Sequence, residues 1–171
     1  RKAFQKGYLK TQATPGAIEL VEWNSKNFSE LKEAIKNSDI VINLIGILYE
    51  TRKQKFYNIH SDIPEAVSKI CSESDVKKFI HVSAIGASET SKSLYQKSKF
   101  QGEIKALNNF KSSIIIRPSV VCGTEDNFTN LFSKLSFLPV IPVVGINYKF
   151  QPILVTDVAD AIVQAIEIKG N

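Results

Sequence analysis

Three side chains in this chain have the types and placement to move a proton. Ser83 ends the apolar stretch Phe79-Ile80-His81-Val82-Ser83, and Tyr95 and Lys99 follow within Ser93-Leu94-Tyr95-Gln96-Lys97-Ser98-Lys99. On a helix, residues four apart stack on one side. An ammonium close to a phenol favours the phenolate and lowers its pKa. Tyr95 could then exchange a proton with a carbonyl or alcohol near neutral pH, with Ser83 hydrogen-bonding the same oxygen. The spacing alone does not identify a site, because Tyr49 and Lys53 show it as well. That second pair falls in a loop with no reason to share a face. A half-buried tyrosine beside a solvated lysine is the plainer alternative for Tyr95 and Lys99.

The elements that must position these residues read as alternating strands and helices. Strands are expected at 18–23, 40–45, 78–84, 112–117 and 150–155, the central ones being continuous β-branched runs suited to burial on both faces. Helices are expected from Ser25 or Asn27 as cap to about residue 36, from about Phe56 to Glu73, from about Leu94 to Asn108, over 127–136 after an Asp126 cap, and over 158–168 after Thr156 or Asp157. Pro64 falls inside the second, so that helix is either kinked or starts there with Pro64 in its first turn. Residues 137–148, with Pro139, Pro142 and Gly145, are expected to be loop. The pattern is α/β: an open parallel sheet with crossover helices, in one domain over residues 1–171. Ligands bind at the strand ends of such sheets.

Composition narrows the function classes. Hydrophobic content of 43% and charged content of 23% are ordinary for a globular chain. No apolar run approaches the roughly 20 residues that cross a bilayer. The net charge of +5 is spread over scattered lysines, which favours a solvated surface over nucleic-acid binding and leaves an acidic partner or an anionic membrane face open. Cys71 and Cys122 lack metal-like spacing and read as buried thiols in a reducing compartment. His60 and His81 show no metal or triad pattern, and His81 reads as a structural histidine. No metal site is expected. The chain lacks Met altogether, which suggests a fragment.

Several strand-end motifs occur in a telling order. They are Asn43-Leu44-Ile45-Gly46, Asn58, Val82-Ser83, Tyr95/Lys99 and Arg117-Pro118-Ser119-Val120-Val121-Cys122-Gly123. In this order the chain resembles the extended and atypical short-chain dehydrogenases/reductases. More narrowly, 43–50 (NLIGILYE), 81–87 (HVSAIGA), 123–128 (GTEDNF) and 151–159 (QPILVTDVA) resemble the subgroup related to the nucleotide-binding accessory subunit of respiratory complex I and its bacterial homologues.

The resemblance implies a Rossmann-type sheet holding NAD or NADP. Asn43 and Gly46 would adjoin the cofactor, Tyr95 and Lys99 would meet the nicotinamide ribose, and Arg117, Pro118 and Ser119 would line the nicotinamide end. Asn58 would be a helix-borne polar support. Respiratory-chain subunits are the implied partners. The implied location is the bacterial cytoplasm, peripheral to the inner membrane, or the mitochondrial matrix in a eukaryote.

The chain departs from the family pattern in three ways. No glycine-rich phosphate loop is present, because the glycines stand singly. That loop normally joins the first strand and helix. The first βαβ unit is therefore expected to be missing, and 18–23 becomes a strand without its neighbours. Asn24 replaces an aspartate that often contacts adenine. Ala84 and Ile85 stand where active members can carry the acid-site hydroxyl. The leading expectation is thus an NAD(P)-binding protein whose cofactor is structural. A reductase or epimerase using Ser83, Tyr95 and Lys99 is the alternative, and a fragment without nucleotide binding is the third.

Overall fold

In a computed structural model, residues 3–24, 27–124, 126, 129, 130, 133, 135, 137 and 149–168 are described. The β-branched runs form the strands β1 (Ile40–Asn43), β2 (Lys78–Val82) and β3 (Ser113–Ile116). All pair in parallel in the order β1-β2-β3, with Val41 opposite Phe79 and His81 opposite Ile115. Parallel neighbours require crossover connections, which the helices α2 (Ile63–Ser72) and α3 (Leu94–Asn109) supply, while α1 (Phe28–Ile35) precedes β1. Phe79 and Cys71 are fully buried in one cluster with Ile63, Val67 and Ala106, and Ile80, also fully buried, points to the opposite face of the sheet. Burial pushes the Cys71 thiol up to about 11, so it is inert packing, and both cysteines are free and buried. This is a Rossmann-type open parallel sheet flanked by helices, and among the described residues no strand precedes β1.

The ends of the elements show how local chemistry works. Asn27 caps α1: its Oδ1 accepts from Ser29 N at 3.2 Å, while its amide donates to Glu30 at 2.7 Å. Ser25 lies outside the described residues. Of the two alternatives for Pro64, the structure shows the second, a place in a helix's first turn. A π-turn over Asn58–Asp62 precedes α2, and Pro64 occupies its first turn, where a missing N–H costs nothing.

Three expectations are corrected. Residues 18–24 form no ladder, because an extended segment becomes a strand only beside another, and none of the described strands adjoins it. Trp23 instead anchors the segment, donating from Nε1 to Asn27 O at 2.7 Å and packing against the core cluster. Thr156 and Asp157 are not caps. The last helix, α4 (Val155–Glu167), starts at Val155 with Leu154 as cap residue, so both lie in its first turn, where Asp157 complements the helix dipole. The late strand is shorter than expected and joins a separate pair, with β5 (Ile153–Leu154) parallel to β4 (Val121–Cys122). Asp126 does accept from Thr129 N at 2.6 Å, as a cap would, but most of the expected 127–136 helix and 137–148 loop lies outside the described residues.

The C-terminal end of α4 is held by a side chain from the sheet. Lys78 Nζ donates to Ala165 O at 3.2 Å and to Ile166 O and Ile168 O. A cation on these otherwise unpaired carbonyls stabilises a helix end. Lys78→Met is expected to cost about 1–2 kcal/mol and to speed amide exchange in the last turn of α4. Unchanged exchange there would show that the cap contributes nothing.

Candidate functional site

The carboxyl ends of β1, β2 and β3 and the start of α3 converge on one cavity of about 510 Å³. Of the residues singled out in the sequence, Ser83, Tyr95, Pro118 and Ser119 line it, and Asn43, Gly46, Lys99 and Arg117 are not among its described lining. Ser83 follows β2 directly, and its backbone N–H donates to Ile116 O at 2.7 Å, so the strand pairing fixes its place. Its Oγ is buried without a hydrogen-bond partner among the described residues. A buried hydroxyl left unpaired is costly, and one that faces a cavity is available to a ligand.

Lys99 lies beneath this cavity, at 4% exposure. Its Nζ donates to Val82 O at 3.2 Å. A Cβ added at Gly46 would stand 3.3 Å from that Nζ and 3.7 Å from His60 Nε2, so Gly46 lets the chain cross directly over the ammonium. Burial pulls Lys99 down to about 8, against the opposing pull of the Glu103 carboxylate. Burial pushes the Tyr95 phenol up.

Two histidines hold the strand-end turns. Asn43 Oδ1 accepts from Ile45 N at 3.0 Å, which turns its amide toward His81 Nδ1 at 3.2 Å. That nitrogen therefore accepts, and the proton sits on the buried Nε2, which has no partner among the described residues. His60 Nε2 accepts from Ile47 N at 3.0 Å, so its Nδ1–H donates to Ser98 Oγ at 2.9 Å. Ser98 in turn donates to Tyr95 O at 2.8 Å. The His60 ring also meets Tyr95 edge-on, with centroids 5.2 Å apart, and stacks on Phe56 at 5.4 Å. His60 thus joins the Gly46–Ile47 turn to the start of α3.

Both histidines are neutral in the fold. Burial first, and the Lys99 charge second, hold His60 at about 4 and His81 at about 3, below the ordinary 6.5. For a depressed folded value, the contribution is complete above the unfolded value near 6.5. It is lost as pH falls toward the folded value, because the unfolded chain takes up the proton first. Each histidine steepens the loss by up to about 1.4 kcal/mol per pH unit. The urea midpoint is expected to fall between about pH 7.5 and about pH 5, before carboxylates titrate. Equal midpoints at the two pH values would contradict this.

Other expected residues fall elsewhere. Arg117 is not among the described residues lining the cavity; its guanidinium clasps Glu103 on α3, with Nε to Oε1 at 2.9 Å and Nη2 on Oε2. Asn58 is exposed at the start of the π-turn. Tyr49 and Lys53 are exposed loop residues. His60 and Ser98 had no assigned role in the sequence reading. The signals available were local: Phe56 and His60 four apart, and Ser98 three after Tyr95.

Comparison with known proteins agrees with this geometry. A family model described as NAD(P)H-binding matches residues 6–114. Among curated relatives, the NADH dehydrogenase (ubiquinone) 1 alpha subcomplex subunit 9 of Mus musculus is 36% identical over 160 residues, covering 92% of this chain and 42% of the relative. The NADH-ubiquinone oxidoreductase 40 kDa subunit of Neurospora crassa is 30% identical over 164 residues, covering 96% and 43%. A ceramide reductase of Caulobacter vibrioides is 27% identical over 147 residues, covering 85% and 46%. The chain thus spans less than half the length of these relatives.

Among solved structures, the UDP-glucuronic acid 4-epimerase of Bacillus cereus superposes with a TM-score of 0.76 at 18% identity, covering 98% of this chain and 61% of that one. The dTDP-4-dehydrorhamnose reductase of Bacillus anthracis superposes at 0.70 and 16%, covering 94% and 66%. These two likenesses are of fold. The sheet, the cavity at its carboxyl edge and the sequence match together place the chain in the NAD(P)H-binding family, with NAD or NADP as its cofactor and complex I accessory subunits among its relatives.

Proposed function

We propose that this domain holds the nicotinamide half of an NAD(P) molecule as a fixed structural group, in the manner of an accessory subunit. The residues fit such a group. Ser83 Oγ is a buried hydroxyl without a partner among the described residues, Lys99 is a buried ammonium under the Gly46 crossing, and Pro118 and Ser119 also line the cavity. Lys99 would hold the ribose hydroxyls, Tyr95 would adjoin them, and Asn43 would keep the crossing turn in place. Arg117 would act on the nicotinamide end only through α3. The relatives' names support respiratory-chain subunits as partners and a mitochondrial location, with which the matrix is compatible. No described helix is long and apolar enough to cross a membrane, which is compatible with a peripheral position.

The observation that carries this reading is the match to NADH dehydrogenase subunits, at 36% and 30% identity over 92% and 96% of this chain. The unpartnered Ser83 hydroxyl beside Tyr95 favours the second reading, a carbonyl reductase. In that case the bound cofactor supplies a hydride, Tyr95 donates its proton to the carbonyl oxygen, and Ser83 hydrogen-bonds that oxygen.

The test is titration of the full-length product with NADPH and NADH, followed by incubation with carbonyl compounds. Binding that Tyr95→Phe retains, with no loss of nucleotide fluorescence over time, is the expected result. Carbonyl-dependent oxidation that Tyr95→Phe abolishes would replace it with the reductase reading. No binding of either nucleotide would overturn both.

A further inference from the structure

His60 is a buried polar side chain to which the nucleotide-holding reading gives no task. Its ring is fully buried, and it touches both Phe56 and Tyr95. Phe56 also meets Tyr95 edge-on, with centroids 5.7 Å apart, so the three rings fix one another. From the π-turn, one ring nitrogen reaches Ser98 on α3 and the other accepts from Ile47 N beyond the end of β1. Ile47 lies between Gly46, whose added Cβ would stand 3.3 Å from Lys99 Nζ, and Leu48, which lines the cavity. Tyr95, on the other side of the ring, lines the cavity too. Without its acceptor the part-buried Ile47 amide would have to find another partner, and the crossing would move with it.

We propose that His60 is a positioning residue for the nucleotide: by accepting from Ile47 N, it holds the Gly46–Ile47 crossing over Lys99 and so keeps the nicotinamide end of the site in shape. Being fully buried, it acts through that turn and does not touch the cofactor. Only the tautomer with its proton on Nδ1 can serve, because a protonated Nε2 has no lone pair to offer. Ser98 secures that tautomer by accepting from Nδ1–H while it donates to Tyr95 O. The inference rests on the nucleotide-holding reading above.

The test compares two substitutions in the full-length protein. His60→Gln puts an amide oxygen near the place of Nε2 and keeps an acceptor for Ile47 N. His60→Asn, a methylene shorter, keeps a donor for Ser98 and loses that acceptor. Both remove the ring from Phe56 and Tyr95, so a general loss of packing affects them alike. NADPH affinity, followed by nucleotide fluorescence, is expected to fall about tenfold in His60→Asn and to stay within about twofold of the parent in His60→Gln. Adenosine 2′,5′-bisphosphate, which lacks the nicotinamide half, is expected to bind all three proteins equally in calorimetry. Without nucleotide, the Ile47 amide is expected to exchange faster in His60→Asn than in His60→Gln. In the unaltered protein, nitrogen NMR shifts are expected to show His60 protonated at Nδ1 alone.

Parent-like NADPH affinity in His60→Asn overturns the inference and leaves the nucleotide reading standing. So does equal weakening in the two variants, or a loss in His60→Asn that the bisphosphate shares. A His60 ring protonated at Nε2 in the unaltered protein overturns it as well, whatever the stability of the variants. Failure of NADPH to bind the unaltered protein overturns the nucleotide reading, and the role of His60 falls with it.

Discussion

Gly102→Ala is expected to destabilise the fold by more than about 3 kcal/mol, although alanine is the better helix former by about 1 kcal/mol. Gly102 sits within α3, where that helix crosses the π-turn ahead of α2. A Cβ there would stand 1.9 Å from His60 O and 3.4 Å from Pro64 Cγ. The first obstacle is backbone, so no side-chain rotation relieves it. The two helices must separate or the π-turn must rearrange, and either movement opens packing around Ile63 and Ala106.

The displacement also reaches the site. His60 links Ile47 N to Ser98 and abuts the Tyr95 ring, so moving its backbone loosens the floor of the cavity. Urea unfolding measures the stability loss, and nucleotide affinity measures the local one. Gly7→Ala, with nothing within 4 Å of the added carbon, serves as the control. A Gly102→Ala protein as stable as the parent would show that α3 does not pack this closely.

The second large effect is expected at Arg117. Glu103 is 2% exposed as a side chain, and the guanidinium holds both its oxygens. Removing one partner of a buried pair leaves an uncompensated charge at a cost of about 3–5 kcal/mol. Arg117 is 48% exposed, so water screens that side and the expected cost of Arg117→Ala falls to about 2–3 kcal/mol. Adding Glu103→Gln should recover more than half of it, because a neutral amide needs no counter-ion. Chemical denaturation of the two single variants and the double variant completes the cycle. An Arg117→Ala protein of unchanged stability but weakened NADPH binding would return Arg117 to the nicotinamide end suggested by its motif.

These two residues show where local sequence stops being informative. Gly102 reads as a mildly unfavourable helix residue, and nothing nearby signals that His60 O lies against it. Arg117 precedes Pro118 at a strand end, which suggested a wall of the cavity. The strand ladder and the closeness of α3 give it Glu103 instead. His60 offered no metal or triad pattern, yet it joins the Gly46–Ile47 turn to Tyr95 through Ser98. In each case the partner is remote in sequence and was brought near by packing.

What the sequence determined by itself was the periodic part and the order of its ends. The apolar runs at 40–45, 78–84 and 112–117 read as strands of a parallel sheet joined by crossover helices, and the structure forms β1, β2 and β3 within them, although only β2 is largely buried. Periodicity and turn chemistry act over a few residues, so they are legible without coordinates. Tertiary structure alone decided that 18–24 forms no ladder, and that Lys99 Nζ donates to Val82 O. It also decided that the cavity walls are apolar and uncharged among the described residues. Hydrogen-bond partners, desolvation and cavity lining depend on which remote groups arrive together, and the packed chain alone specifies that.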